Sequence, residues 1–261
     1  MVNWHLGTMG FSYKEWQGAF YPAGMPPRSF LAHYSQLFNA VEMDSTFYGP
    51  PTAAQVERWA AVTPPEFTIC PKAPRTITHD LRLVDASEPM AGFLERMRRL
   101  GEKLGVVLLQ FPPDFTYTQF NTLMTFLKAL PSDLRFAVEF RHRSWDTLGT
   151  LTLLQRHGIC LAAADYIYMP RQVQRTADFL YLRFIGPHGQ FKTKDREMLD
   201  KTAELQQWQQ RLQPHLDRVT DVYGFFNNDY AGFSPATCNR FKQIIGLDVG
   251  EIRPFQQGRL F

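Results

Sequence analysis

Residues 136–141 read Phe136-Ala137-Val138-Glu139-Phe140-Arg141. Side chains alternate across a β-strand, so this run divides into two faces. Val138 and Phe140 form an apolar face. Ala137, Glu139 and Arg141 form a face that is small at its start and charged at its end. The same pattern returns elsewhere. Strand 40–44 places Ala40, Glu42 and Asp44 opposite Val41 and Met43. Strand 67–72 groups Thr68, Cys70 and Lys72, and strand 106–110 ends on Gln110. Leu161, Ala163 and Asp165 share a parity in 160–165, as do Tyr181 and Arg183 in 180–184. Each of these strands turns polar at its carboxyl end on one parity.

With 3–8 and 221–227, the strand-like runs number eight. Helical patterns separate them, at 27–38, 52–62, 87–104, 118–130, 145–157, 194–216 and 234–245. Strands alternating with helices predict parallel pairing through crossover helices. The expected caps are Thr52 after Pro51, Ser87 ahead of Pro89, and Ser234 ahead of Pro235. Gly158 and Gly246 are expected helix stops. The expected fold is therefore α/β, a single (β/α)₈ TIM-type barrel over 1–261. A length of 261 residues suits it, since such barrels run to about 250 residues. The weak unit is 166–178, a short crossover without helical periodicity. An open doubly wound sheet is the alternative, but no Gly-x-Gly-x-x-Gly loop follows an early strand.

Bulk composition narrows the function. A net charge of +3 does not by itself imply nucleic acid. Arg96, Arg98, Arg99 and Lys103 are interrupted by Glu95 and Glu102 and read as a solvated helix face. The three cysteines, Cys70, Cys160 and Cys238, share no Cys-x-x-Cys spacing, which argues against a disulfide framework or structural zinc. A reducing cytoplasm is the expected location. No signal peptide and no membrane span are expected.

In a barrel the polar endings converge at the C-terminal mouth, where barrel enzymes carry their sites. Glu42, Lys72, Gln110, Glu139, Arg141, Asp165 and Arg183 are expected there, closed by Asn227, Asn228 and Asp229. Glu42 and Glu139 are the expected catalytic acid/base pair, because carboxyls in different surroundings take different pKa values. Glycoside hydrolysis would place them about 5–5.5 Å apart for retention or about 6.5–9.5 Å for inversion. Equally, both would simply neutralise basic neighbours. Lys72, Arg141 and Arg183 would clamp a small polar or anionic ligand. Asn227 would hydrogen-bond it, and Asp165 would position a basic group. Lys72 would also suit a Schiff base if burial lowers its pKa. Glu42, Asp44, Glu139 and Asp165 offer oxygen ligands suited to Mg²⁺ or Mn²⁺, although the positive neighbours compete, and no metal is required. Tyr48, with Phe47, Tyr13, Trp16, Phe111, Trp145 and Phe226, follows strand ends as either a stacking platform or a lid. His79, His142 and His188 are placed on loops.

At these same residues the chain resembles the YecE-like family, a domain of unknown function. The matching words are Gly7-Thr8 through Tyr13 and Trp16; Phe20-Tyr21-Pro22; Val41-Glu42-Met43-Asp44-Ser45-Thr46-Phe47-Tyr48; Gln110-Phe111-Pro112-Pro113; Ala137-Val138-Glu139-Phe140-Arg141-His142 with Ser144-Trp145; and Phe226-Asn227-Asn228. The resemblance implies a TIM-type barrel with a site at these positions, and it implies no reaction. The chain departs from the family pattern twice. Met9-Gly10-Phe11 replaces a Ser-Gly-Trp word, and Asp44 stands where the family has Asn.

The leading expectation is an enzyme that uses acid/base chemistry on a small polar, anionic metabolite, with hydrolysis as the first guess. The competing class is a nucleic-acid or protein-binding barrel without turnover, using basic and aromatic groups together. A barrel with a degenerate site is the third.

Overall fold

The structure, a computed structural model, describes residues 2–249; position 1 and positions 250–261 of the expected domain lie outside them. The strands are β1 (Asn3–Thr8), β2 (Ala40–Met43), β3 (Thr68–Pro71), β4 (Val106–Gln110), β5 (Arg135–Glu139), β6 (Cys160–Leu161), β7 (Ala163–Asp165), β8 (Phe179–Phe184) and β9 (Asp221–Phe226). The helices are α1 (Phe30–Tyr34), α2 (Ser45–Tyr48), α3 (Ala53–Val62), α4 (Ser87–Met97), α5 (Phe120–Lys128), α6 (Leu148–Arg156), α7 (Thr202–Leu212), α8 (Asn228–Ala231) and α9 (Ser234–Ile244).

Every ladder is parallel. The strand orders are β1-β9-β8-β7, β2-β3 and β4-β5-β6. Isolated bridges link neighbouring sheets, Met9 with Glu42 beyond the end of β1, and Ile69 with Leu104 and Lys72 with Leu108 between β3 and β4. The fold class is thus α/β with parallel strands, as the alternation of patterns predicts.

Both faces of the strands are buried, which explains near-continuous apolar runs such as Val106–Gln110. One parity (Ala40, Cys70, Val106, Leu108, Ala137, Tyr181 and Phe225) gathers into a cluster of its own. The other parity (Val41, Ile69, Val107, Val138, Leu182 and Phe226) joins a larger cluster with Trp59, Phe93, Leu205, Trp208 and Phe241 from the helices. Close approach between β1 and β2 explains Gly7, where a Cβ would lie 1.9 Å from the Ala40 carbonyl oxygen.

The structure corrects several expectations. The run 160–165 is two short strands broken at Ala162, whose N–H donates to the Val138 carbonyl at 2.9 Å. Cys160 and Ala162, rather than Leu161 and Ala163, face the cluster of small and aromatic strand residues. Alternation runs on through the break, so Asp165 shares the outward parity of Leu161 and Ala163. The cap at Thr52 holds, its hydroxyl accepting from the Gln55 N–H at 3.2 Å. Ser87 and Ser234 do not cap. Each is the first helical residue, and the Ser234 hydroxyl instead donates to Asn228 Oδ1 at 2.9 Å. The helix expected from 194 begins at Thr202, because the Met198 N–H is taken by the Ala231 carbonyl at 2.7 Å. The segment 166–178 contains no helix, in keeping with its missing periodicity.

Candidate functional site

Arg183, next to last in β8, organises the carboxyl ends of the strands. Its Nε donates to Glu42 Oε2 at 2.9 Å and one terminal nitrogen donates to Glu42 Oε1 at 2.6 Å. The other terminal nitrogen donates to Glu139 Oε2 at 2.5 Å. Glu139 Oε1 accepts from Arg141 Nε. Tyr181, on the same face of β8, donates its hydroxyl to Glu42 Oε2 at 2.8 Å. Met9 Sδ accepts from Arg183 at 3.5 Å and from Asn227 Nδ2 at 3.7 Å. Glu42, Glu139 and Arg183 are buried, so these contacts form in low dielectric, where paired charges interact strongly and unpaired ones are costly.

The two carboxyls are driven apart. Burial pushes Glu42 up from its ordinary value, and the nearby Asp44 charge adds to that push against the pull of Arg183. Burial pushes Glu139 the same way, but Arg141, Arg183 and Lys72 overcome it and hold Glu139 down at about 2. Burial in the same cluster raises the Tyr181 hydroxyl well above its ordinary value, with Glu42 adding to the effect. A neutral phenol is therefore the donor to Glu42.

Lys72 is held differently. Its carbonyl accepts from the Thr46 hydroxyl at 2.6 Å, which fixes its backbone against α2. Its ammonium lies 4.0 Å from the Phe47 ring centre and 3.9 Å from Asp44 Oδ1. No hydrogen-bond acceptor among the described residues meets it. Burial pushes its pKa down, and Arg183 adds to that against Asp44. Asp44 Oδ1 is itself buried without a hydrogen-bond partner among the described residues, 3.9 Å from Lys72 and 3.8 Å from Arg183. Arg141 stacks on Tyr166 at 4.0 Å, and its terminal nitrogens have no partner among the described residues.

The other expected site residues divide. Gln110 pairs in register with Glu139, and its side-chain amide donates to the Phe111 carbonyl at 2.5 Å. Asn227 caps α8, accepting from the Asp229 N–H at 2.9 Å, so its oxygen serves the backbone and its amide faces Met9. Asn228 accepts from Trp16 Nε1 at 3.3 Å, and Asp229 accepts from the Gly189 N–H at 3.0 Å. Tyr48 is 83% exposed, its ring meeting Phe47 edge-on.

Asp165 does not join the cluster. Its Oδ2 accepts from Trp208 Nε1 at 2.8 Å and Tyr230 Oη at 2.9 Å, and its Oδ1 pairs with Arg171 at 2.7 Å. On the parity of Leu161 and Ala163, and in register with Phe184, it faces α7 and α8, where it anchors packing. The suggested oxygen-ligand set of Glu42, Asp44, Glu139 and Asp165 is therefore not assembled, and two of its members are bonded to Arg183. Among the described residues no group of three His, Cys, Asp or Glu could hold a metal ion.

Sequence reading passed over Tyr181 and Met9. Tyr181 carried a usable signal, the parity of Arg183; Met9 carried none beyond its departure from the family word. His79 also approaches the site. It sits in a π-helical turn, Thr76–Asp80, with its ring 4.9 Å from Phe47. Burial, then Lys72 and Arg75, push its pKa down to about 4, so it is neutral at pH 7. Just beyond it Arg82, Leu83 and Asp85 take positive φ of 50°, 70° and 51°, a conformation that is uncommon outside glycine.

These features define an α/β protein of parallel strands with a buried, charge-balanced cluster at the carboxyl ends of those strands. The chain belongs to the DUF72 family, described as a protein of unknown function, whose model matches residues 5–259. It is 31% identical over 212 residues to UPF0759 protein YecE of Escherichia coli K12, covering 71% of this chain and 77% of that protein. It is 26% identical over 279 residues to UPF0759 protein YunF of Bacillus subtilis 168, covering 97% and 98%. The crystal structure of a DUF72 family protein from Thermotoga maritima superposes with a TM-score of 0.78 at 30% identity, covering 94% of this chain and 99% of that one. One from Enterococcus faecalis superposes with a TM-score of 0.77 at 22% identity, covering 95% and 99%, a likeness of fold. In this chain no helix of the described residues is long and apolar enough to cross a membrane, and its three cysteines are free and buried.

Proposed function

We propose that the protein is an enzyme that performs acid/base chemistry on a small anionic metabolite at the Glu42–Arg183–Glu139 cluster, within a (β/α)₈ barrel. The barrel reading takes β6 and β7 as two halves of one strand and the isolated bridges as the seams between sheets. The observation that carries the functional reading is a set of N–H donors without acceptors among the described residues, the Lys72 ammonium and the terminal nitrogens of Arg141, beside two carboxyls of divergent acidity. An anion would supply the missing acceptors. Glu42, pushed toward its protonated form, would transfer the proton, and Glu139, held ionised, would stabilise positive charge. Hydrolysis is the first reaction class to assay. A glycosidase is disfavoured, because it needs a sugar between the two carboxyls and both here grip one guanidinium.

The test begins with ligands found by thermal shift in a panel of phosphorylated and carboxylated metabolites, and then measures turnover. Glu42→Gln and Glu139→Gln should each lower kcat by about 10²-fold or more. Full activity in both variants would sink the assignment.

A binding module without turnover has one observation in its favour, the exposed Tyr48 and Tyr168 rings. Salt-dependent binding of single-stranded oligonucleotides, lost in Arg141→Ala, would select it.

A further inference from the structure

We propose that Lys72 is a covalent nucleophile that forms an imine with the carbonyl carbon of a small anionic aldehyde or keto acid. The inference rests on the anion-binding reading above and names the substrate class of that same site.

The geometry is that of an amine kept free. The side chain of Lys72 is 10% exposed, so it is largely shielded from bulk water without being sealed off. Its nitrogen touches an aromatic face and one carboxylate beyond hydrogen-bonding distance. A lysine recruited for structure normally donates to acceptors. Lys103 in this chain donates to the carbonyls of Ala60 and Thr63, the latter at 2.6 Å. Lys72 has no such acceptor among the described residues, and its backbone is anchored on both sides, by Thr46 and by the bridge to Leu108. Burial next to Arg183 favours the neutral amine, which is the nucleophilic form. Arg141, whose terminal nitrogens lack partners among the described residues, supplies a site for the substrate's anionic group.

The step balances as follows. The ammonium first loses a proton to Asp44, the carboxylate beside it. The amine lone pair then forms the N–C bond, and the C=O π pair moves to oxygen. That oxygen takes a proton as the nitrogen loses one, giving a carbinolamine. The oxygen takes a second proton, returned by Asp44, and the C–O bond breaks to release water as the nitrogen lone pair forms C=N. One carbonyl and one protonated amine give one iminium and one water, with no oxidation or reduction.

The experiment incubates the full chain with glyoxylate, the smallest anionic aldehyde, and sodium cyanoborohydride, which reduces an imine to a stable secondary amine. Modified lysines are then located by peptide mass spectrometry. Lys72 should be labelled at least roughly tenfold faster than the exposed Lys14 and Lys192 at neutral pH. Its labelling should persist at about pH 6, where ordinary lysines are protonated. Neutral propanal should show a smaller preference for Lys72. Lys72→Arg keeps the charge, should fold with an unchanged near-ultraviolet circular dichroism spectrum, and should lose the fast-labelled site. If glyoxylate raises Tm but Lys72 is labelled no faster than Lys14, the imine is overturned and the anion site stands. If glyoxylate neither raises Tm nor labels Lys72, both readings fall.

Discussion

Arg183 and Glu42 meet through two parallel hydrogen bonds at 2.9 and 2.6 Å, both residues wholly enclosed at the ends of β8 and β2. The fork geometry of a guanidinium matches a carboxylate on two atoms at once, and a third nitrogen is left for Glu139. Removing the arginine strands two buried carboxylates. Arg183→Met should therefore cost about 3–5 kcal/mol, read as a lowered urea midpoint. Adding Glu42→Gln and Glu139→Gln to the same chain should recover part of that loss. A single variant as stable as the parent would show that the cluster is not held by charge.

Glu139 sets an acid-side dependence of stability. Its folded pKa of about 2 lies below the ordinary 4.5, so the unfolded chain binds the proton more readily. Its contribution is present above about pH 4.5 and is lost as pH falls toward 2. Glu42, shifted upward, works in the opposite sense, its contribution being lost as pH rises through its folded value. The two act in adjoining windows, Glu139 below about pH 4.5 and Glu42 above it. In Glu139→Gln the fall below about pH 4.5 should flatten, and in Glu42→Gln the loss of stability on raising the pH above about 4.5 should disappear, as measured by urea unfolding at stepped pH.

Asp165 separates packing from function. Asp165→Asn weakens the pair with Arg171 and turns an amide donor toward groups that themselves donate, Trp208 and Tyr230. A loss of about 1–3 kcal/mol is expected, with thermal shifts by anionic ligands unchanged in size. A variant that keeps its stability and loses ligand binding would return Asp165 to the site.

Tyr48 tests the rim. It is almost fully exposed, so Tyr48→Ala should alter stability by less than about 0.5 kcal/mol. If the ring stacks on the ligand, affinity should fall while Tm of the free protein stays put. Unchanged affinity by titration calorimetry would leave Tyr48 outside the site.

Much of the cluster is legible in strand parity. Glu42, Lys72, Glu139, Arg141 and Arg183 lie at carboxyl ends on one face, as alternation requires, and Tyr181 lies two residues before Arg183 on that face. Asp165 is the instructive failure. Both parities of 160–164 are small or apolar, so only the charge of Asp165 hints at which one faces inward. That carboxylate instead goes outward, where Trp208 and Tyr230 donate to it. The cap positions of Ser87 and Ser234 failed for a related reason. A hydroxyl goes to whichever partner tertiary packing brings near, and for Ser234 that is Asn228.

By itself, then, the amino-acid order determined the alternation of parallel strands and helices, the two apolar faces and the polar ends, because periodicity is a local property of the backbone. Only the tertiary structure decided which charges are satisfied. Three strands distant in sequence deliver Glu42 and Glu139 to the one guanidinium of Arg183, and the same packing leaves Lys72 without an acceptor among the described residues. Pairing depends on distances of a few tenths of an ångström between residues more than a hundred positions apart, and no local pattern in the sequence encodes such distances.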